Sequence, residues 1–297
     1  MMILFFESAI FCQADSEDKK KSFLKINLNY LSNSVYSGRK DSAVVPYLRS
    51  SITYNDKSGL YIGAGASMLV SKDESNRIDL FNIDGGYSFN IKKLDAGIYA
   101  SKYFYSDASF AVGSELKGLV GMYLGYDLGV ATLNGGANVL FSTNTDLSTS
   151  LGLSHSFEFG EKDKLITFNP TFQLNAGTQY FNKAYYEFRK FPFATTANNS
   201  GGGNSGKRKG RSGGSNSGSG SGSSIVKNVT FYDKNKFTIL DYELLLPVNY
   251  DRKRWGLFAN PVVAFPVNAA SIAIDNKLTK ENLSTSFFIE LGGYIKF

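Results

Sequence analysis

Apolar and polar residues alternate with a period of two along most of this chain. Successive side chains of a β-strand point to opposite faces, so the pattern predicts strands with one oily and one wet face. The clearest run sets Ala131, Leu133, Gly135, Ala137, Val139 and Phe141 against Thr132, Asn134, Gly136 and Asn138. A second sets Ile166, Phe168, Pro170, Phe172, Leu174 and Ala176 against Thr167, Asn169, Thr171, Gln173 and Asn175. A third sets Phe287, Ile289, Leu291, Gly293, Ile295 and Phe297 against Glu290, Gly292, Tyr294 and Lys296. About twelve such runs are predicted: 22–31, 43–54, 60–70, 78–90, 94–105, 115–126, 128–141, 147–159, 165–178, 237–250, 255–267 and 285–297. Most are near the ~9–11 residues that a tilted membrane-spanning strand requires.

The links between these runs alternate in length. Residues 32–42, 71–77, 106–114, 142–146, 179–236 and 268–284 are predicted as loops at one end. Residues 55–59, 91–93, the junction at Asp127, 160–164 and 251–254 are the turns at the other. Long links at one end and short ones at the other fit a closed antiparallel transmembrane β-barrel of about twelve strands, its short turns periplasmic. A soluble β-sandwich also alternates. Aromatic residues at the run ends argue for the barrel, because membrane interfaces collect them: Tyr54, Tyr87, Phe89, Tyr103, Phe104, Tyr105, Tyr126, Phe159, Tyr250 and Trp255. Pro170, Pro247 and Pro261 fall inside runs, where each removes a ladder donor, so bulges or strand boundaries are expected there.

Composition narrows the class. Mean hydropathy is −0.17, and no stretch reaches the ~18 apolar residues of a membrane helix. One cysteine, Cys12, excludes an internal disulfide framework, and one histidine, His155, excludes a multi-histidine metal site. The net charge is +6. Much of that charge sits in one segment, so nucleic acid is not an expected partner. Residues 200–224 are rich in Gly and Ser around Lys207, Arg208, Lys209 and Arg211. This segment is expected to be a disordered basic insertion in the outer loop 179–236. Its basic knot either touches anionic glycolipid or is solvated charge. The aromatic run Tyr180, Phe181, Tyr185, Tyr186, Phe188, Phe191 and Phe193 is too dense for a plain linker. It is expected to extend its strand above the membrane or to fold over the mouth.

The start, Met1 to Ala14, has a short apolar stretch, a small residue at Ala14 and an abrupt polar sequel. It reads as a signal peptide cleaved after Ala14. A lipoprotein with Cys12 lipidated is the rival, disfavoured by Phe11 before the cysteine. The last run, Ile289-x-Leu291-x-Gly293-Tyr294-Ile295-Lys296-Phe297, resembles the C-terminal strand of bacterial outer-membrane β-barrels. That resemblance implies residence in the outer membrane, contact with its lipid and lipopolysaccharide, and recognition of Phe297 by the barrel-assembly machinery. A barrel domain over 22–297 follows. The first hairpin, with Ser32-Asn33, Gly38-Arg39, Pro46, Tyr54 and Lys57-Ser58-Gly59-Leu60-Tyr61, is similar to a group of outer-membrane barrels of unassigned function.

Candidate chemistry is sparse. Barrel phospholipases resemble a His-x-Ser pair on the outer lipid-facing wall. Here the sequence is Ser154-His155-Ser156, and His155 falls toward the periplasmic end. A nucleophile needs its base within reach, and adjacent strand residues point apart. No catalytic residue, cofactor or metal site is expected, and the protein is read as a non-enzyme. The inward charges are the remaining candidates: Lys25, Arg49, Asp84, Asp95, Glu115, Lys117, Glu158, Asp241, Glu243, Glu290 and Lys296. Facing lipid, each would cost ~2–4 kcal/mol near the midplane. Acids outnumber bases, which suits a narrow cation-favouring channel. The alternative is a filled structural or interaction barrel, because Tyr47, Tyr61, Tyr99, Tyr123, Phe258, Phe288 and Tyr294 also face inward in this phase.

Overall fold

A computed structural model describes residues 21–40, 44–70, 76–106, 109, 116–142, 144–161, 163–180, 229–232, 235–274 and 277–297. The first elements are β1 (Phe23–Leu31), β2 (Val35–Tyr36), β3 (Arg39–Lys40), β4 (Tyr47–Asn55), β5 (Leu60–Leu69), β6 (Arg77–Ile91) and β7 (Leu94–Tyr105). They are followed by β8 (Gly118–Asp127), β9 (Thr132–Phe141), β10 (Thr145–Ser154), β11 (Phe157–Glu161), β12 (Lys164–Phe168) and β13 (Thr171–Gly177). The remainder are β14 (Val229–Tyr232), β15 (Thr238–Leu245), β16 (Val248–Asp251), β17 (Trp255–Pro266), β18 (Ser271–Ile274), β19 (Lys277–Lys280) and β20 (Ser286–Lys296).

Three pairs of short strands are collinear: β10 with β11, β12 with β13, and β15 with β16. Each pair forms one stave, and with β1, β4, β5, β6, β7, β8, β9, β17 and β20 they make twelve. Every neighbouring pair is antiparallel. The ring closes where β20 pairs with both β17 and β1, with Leu28 opposite Gly293 and Leu257 opposite Gly293. Closure pairs the staves on both sides, as a membrane requires; among the described residues β11, which reaches past the turn between β8 and β9, pairs with β12 alone. Short turns join the staves at the inner end. One is Leu128–Ala131, where Gly129 takes φ 94° and its N–H donates to the Asp127 carboxylate at 2.7 Å.

Pro170 and Pro247 fall at strand boundaries, one of the two outcomes expected of them, Pro261 lies within β17, and none of the three shifts the register. Ser148 pairs with Gly177 above the break, and Phe157 with Phe168 below it in the same register. Proline lacks the donor but keeps its carbonyl. The carbonyls of Pro170, Pro247 and Pro261 accept from His155, Asn169 and Leu246 at 3.2, 3.0 and 3.0 Å. The bulges fall elsewhere. One sets Asp79 as an extra residue in β6 opposite the Ser67–Met68 step of β5, and the other sets Leu240 as an extra residue in β15 opposite Asn175–Ala176 of β13. A bulge points two successive residues to one face. Asp79 with Leu80, and Leu240 with Asp241, are accordingly all buried inside.

The outer surface is the apolar face of the alternation. Ile26, Leu28, Ile52, Ile62, Ile83, Ile98, Met122, Leu133, Leu151, Phe172, Leu257 and Leu291 are exposed around the ring. Tyr54, Tyr87, Phe89, Tyr126, Phe159 and Trp255 are exposed near its inner rim. Tyr103 is not part of the girdle: it faces inward and is buried, and Tyr105 shares its face.

Candidate functional site: the lumen

The polar face lines the lumen, and its two halves differ. In the outer half an apolar cluster fills the bore: Leu31, Val35, Val45, Tyr47, Leu69, Leu245, Val262, Ala264 and Phe288. Most of these stand on the wall, but Val35 and Val45 belong to the first outer loop. Its two-stranded hairpin, β2 with β3, folds into the mouth. Ser34, Val35, Tyr36, Ser37 and Arg39 are all at most 5% exposed. The hairpin turns through Ser37 (φ 47°) and Gly38 (φ 71°). Ser286 of β20 donates to the Gly38 carbonyl at 2.9 Å. Arg39 Nε donates to Glu281 at 2.9 Å, and the other guanidinium nitrogens reach the carbonyls of Ser37, Val267 and Asn268. Burial, with Asp146 beside it, pushes the Tyr36 hydroxyl well above the usual phenol range.

Several buried charges around the cluster are paired or hydrogen-bonded, whereas neither carboxylate oxygen of buried Asp241 has a hydrogen-bond partner among the described residues. Arg49 donates to Glu290 at 2.9 Å, and Asn29 and Asn260 also donate to that carboxylate. Asp79 accepts from Tyr47 at 2.8 Å and pairs with Arg77 at 2.8 Å. Thr178 donates to Asp146 at 2.6 Å, and the Tyr180 amide donates to the same oxygen at 2.9 Å.

The inner half is built differently. Its aromatic rings lie flat on the wall, each across a glycine of the neighbouring stave. Tyr99 pairs with Gly121, and Tyr123 with Gly97. A Cβ on Gly121 would stand 2.6 Å from Tyr99 Cζ, and one on Gly97 2.6 Å from Tyr123 Cε1. β17 and β20 repeat the device, with Tyr294 over Gly256 and Phe258 over Gly292. Tyr61 covers Gly86 on β6. Aromatic cover of strand glycines stabilises a sheet, and a ring lying on the wall keeps out of the bore. Thr53, Asn82, Asp84, Asn134 and Asn138 line this half and are only half-buried.

The inward charges proposed from sequence divide by depth. Arg49, Asp241 and Glu290 are buried in the outer half, Glu243 adjoins Gln173 at 3.4 Å, and Glu115 lies outside the described residues. Lys117 is exposed just before β8, and Glu158 is exposed near the inner rim. Asp84 accepts from Asn82 at 3.0 Å, and Asp95 sits on β7 near the inner end. The Lys25 ammonium lies 4.2 Å from the centre of the Tyr294 ring and that of Lys296 5.5 Å from it, while Tyr294 donates to Asp251. The sequence reading missed Arg39, Asp79, Asp146 and Glu281. Three lie in loops or at a bulge, where period-two reasoning assigns no face, and Asp146 lies in what was read as a loop. Phe297 pairs with Leu24 through both backbone groups. The segment bearing Lys207, Arg208, Lys209 and Arg211 lies outside the described residues.

His155 is exposed at the inner end. Its Nδ1 lies 2.6 Å from the Val130 carbonyl oxygen and its ring meets Phe157 edge-on at 4.4 Å. Ser154 faces the other way and accepts from Asn134 at 2.9 Å.

A closed sheet of twelve staves, apolar outside and polar within, is a transmembrane β-barrel of the bacterial outer membrane. No family model and no curated protein sequence matches the chain. Among solved structures it is similar to the KdgM porin, at 8% identity and TM-score 0.43 over 93% of this chain and 99% of that one. It is also similar to the NanC porin, at 8% and 0.42 over 92% and 100%. A third likeness is to the COG4313 outer membrane channel from Pseudomonas putida F1, at 8% and 0.41 over 96% and 100%.

Proposed function

We propose that this barrel is a non-enzymatic, narrow channel for ions and small polar solutes, drawn closed at its outer mouth. The observation that carries the reading is the contrast between the two halves of the bore. The inner half is wet, with half-buried Asn82, Asp84, Asn134 and Asn138 between rings that lie against the wall. The outer half is filled by wall residues, to which the hairpin adds Val35 and Tyr36. The excess of inward carboxylates favours cations over anions. The lipid and lipopolysaccharide of the outer membrane are the surroundings we propose for it, with the barrel-assembly machinery acting during biogenesis.

The apolar cluster around Val35 and Phe288 favours a second reading, a filled barrel that serves as a structural or docking unit. One experiment separates the two. A variant with Ser34–Lys40 replaced by a short Gly-Ser link is reconstituted in planar bilayers with potassium chloride. Steady steps with a cation-biased reversal potential support the channel. Silence of this trimmed barrel, verified as folded, overturns it in favour of the filled barrel.

A further inference from the structure

We infer that the β2–β3 hairpin is a reversible gate and that the Arg39–Glu281 ion pair is its latch. The inference rests on the channel reading above and assigns its regulation.

The hairpin obstructs the mouth without being part of the wall. Its two strands pair only with each other, Tyr36 with Arg39 and Val35 with Lys40, as a separate two-stranded sheet. The backbone bond from Ser34 to the Val45 carbonyl stays within the same loop. Withdrawing the hairpin therefore breaks none of the barrel ladder. Side chains make the bonds that tie its tip to β20 and to the last outer loop. Ser286 donates to the Gly38 carbonyl, and Arg39 binds Glu281 together with the carbonyls of Val267 and Asn268. Glu281 also accepts from the Ala270 amide at 3.1 Å, so it is held in place by its own loop. The latch thus joins one outer loop to another.

Ser37 (φ 47°) and Gly38 (φ 71°) form the hairpin's own two-residue turn, so the hairpin can move as a unit. The Arg39 and Glu281 side chains are 2% and 5% exposed. Removing one partner leaves the other buried and uncompensated, and that penalty falls on the closed state alone. Either single change therefore shifts the balance toward the open state.

A cross-link tests whether movement matters. A Cβ on Gly38 would stand 2.9 Å from the Pro266 Cβ, a little inside the ~3.5–4.5 Å of a disulfide. The pair Gly38→Cys with Pro266→Cys is expected to join once the two positions separate by roughly half an ångström or more, at the cost of a side chain in the left-handed region at position 38. In planar bilayers with potassium chloride, the wild-type barrel is expected to show brief openings. The oxidised double-cysteine barrel is expected to show none, and reductant restores them. Arg39→Gln and Glu281→Gln should each raise open probability by about tenfold or more. Equal conductance of the oxidised and reduced barrels, with the cross-link confirmed by mass, overturns the gate. Unchanged open probability in both latch variants also overturns it. Neither result touches the channel reading, which falls only if the trimmed barrel is silent.

Discussion

Tyr99 lies across Gly121 while Tyr123, two residues beyond that glycine, lies across Gly97. The two staves thus exchange rings and gaps. A side chain at either glycine must push a ring off the wall. Gly121→Ala is expected to destabilise the barrel by ~1–3 kcal/mol through overpacking. Combined with Tyr99→Ala it should cost less than the sum of the two single changes, since the ring clash has gone and only the contact with Asn138 Oδ1 remains. Urea titrations of the four proteins in lipid, read by the gel shift between folded and boiled forms, check this. Additive losses would contradict the packing described.

The two faces of β9 should answer oppositely to the same charge. Leu133 is exposed to lipid, whereas Asn134 faces the lumen and donates to Ser154. Leu133→Arg is expected to cost ~2–4 kcal/mol at mid-membrane depth, and Asn134→Arg much less. Folded yield in lipid vesicles for the two variants compares them directly.

Glu290 holds three donors: Arg49, Asn29 and Asn260. Glu290→Ala strands the Arg49 guanidinium in a buried setting, with an expected loss of ~3–5 kcal/mol. The double change Glu290→Met with Arg49→Met should recover most of it. Denaturation midpoints decide. A double variant as weak as the single one would show that the three donors matter more than the charge.

Asp56 closes the first inner turn. A hydrogen bond with Ser58, followed by one from Ser22, holds its carboxyl down at about 2. A lowered folded value means the turn is supported above the ordinary aspartate value of ~3.9 and loses that support as pH falls through about 2. Amide exchange at Ser58 and Gly59 should therefore accelerate below pH 3 relative to the turn at Lys92. Asp56→Ala should show the faster exchange already at neutral pH, with the difference from wild type vanishing as pH falls through about 2.

The staves and their phase were legible in the sequence, because one face meets lipid and the other water along every stave. The run 147–159 was read as one stave, and β10 with β11 occupies it. The devices inside the bore were less legible. Gly97-Ile98-Tyr99 and Gly121-Met122-Tyr123 carry the ring-over-glycine signal, but only register shows that they face each other. Prolines suggested bulges or boundaries, and Pro170 and Pro247 mark boundaries, because a missing donor interrupts a ladder without adding a residue. The true bulges at Asp79 and Leu240 have no such marker. The hairpin was assigned to a loop correctly, but its burial depends on contacts with Pro266, Glu281 and Ser286, more than 200 positions away.

Counted around the ring from β1, the bulged pair occupies staves three and four and the exchanged rings staves five and six. Staves nine to twelve carry the same two devices in the same order. Six staves on from Gly97-Ile98-Tyr99-Ala100 stands Gly256-Leu257-Phe258-Ala259, with the same pairing of glycine and ring to the next stave. The molecule is in this sense a pseudo-dimer written in one chain, two six-stave halves sharing one bore. The correspondence does not extend to the lengths of the outer links. Between staves one and two stands the inserted hairpin, whereas its counterpart between staves seven and eight is the short connection at 142–144. A two-fold bore would admit two such hairpins to the same space, and only a chain that lengthens one of the two links can seat a single stopper there.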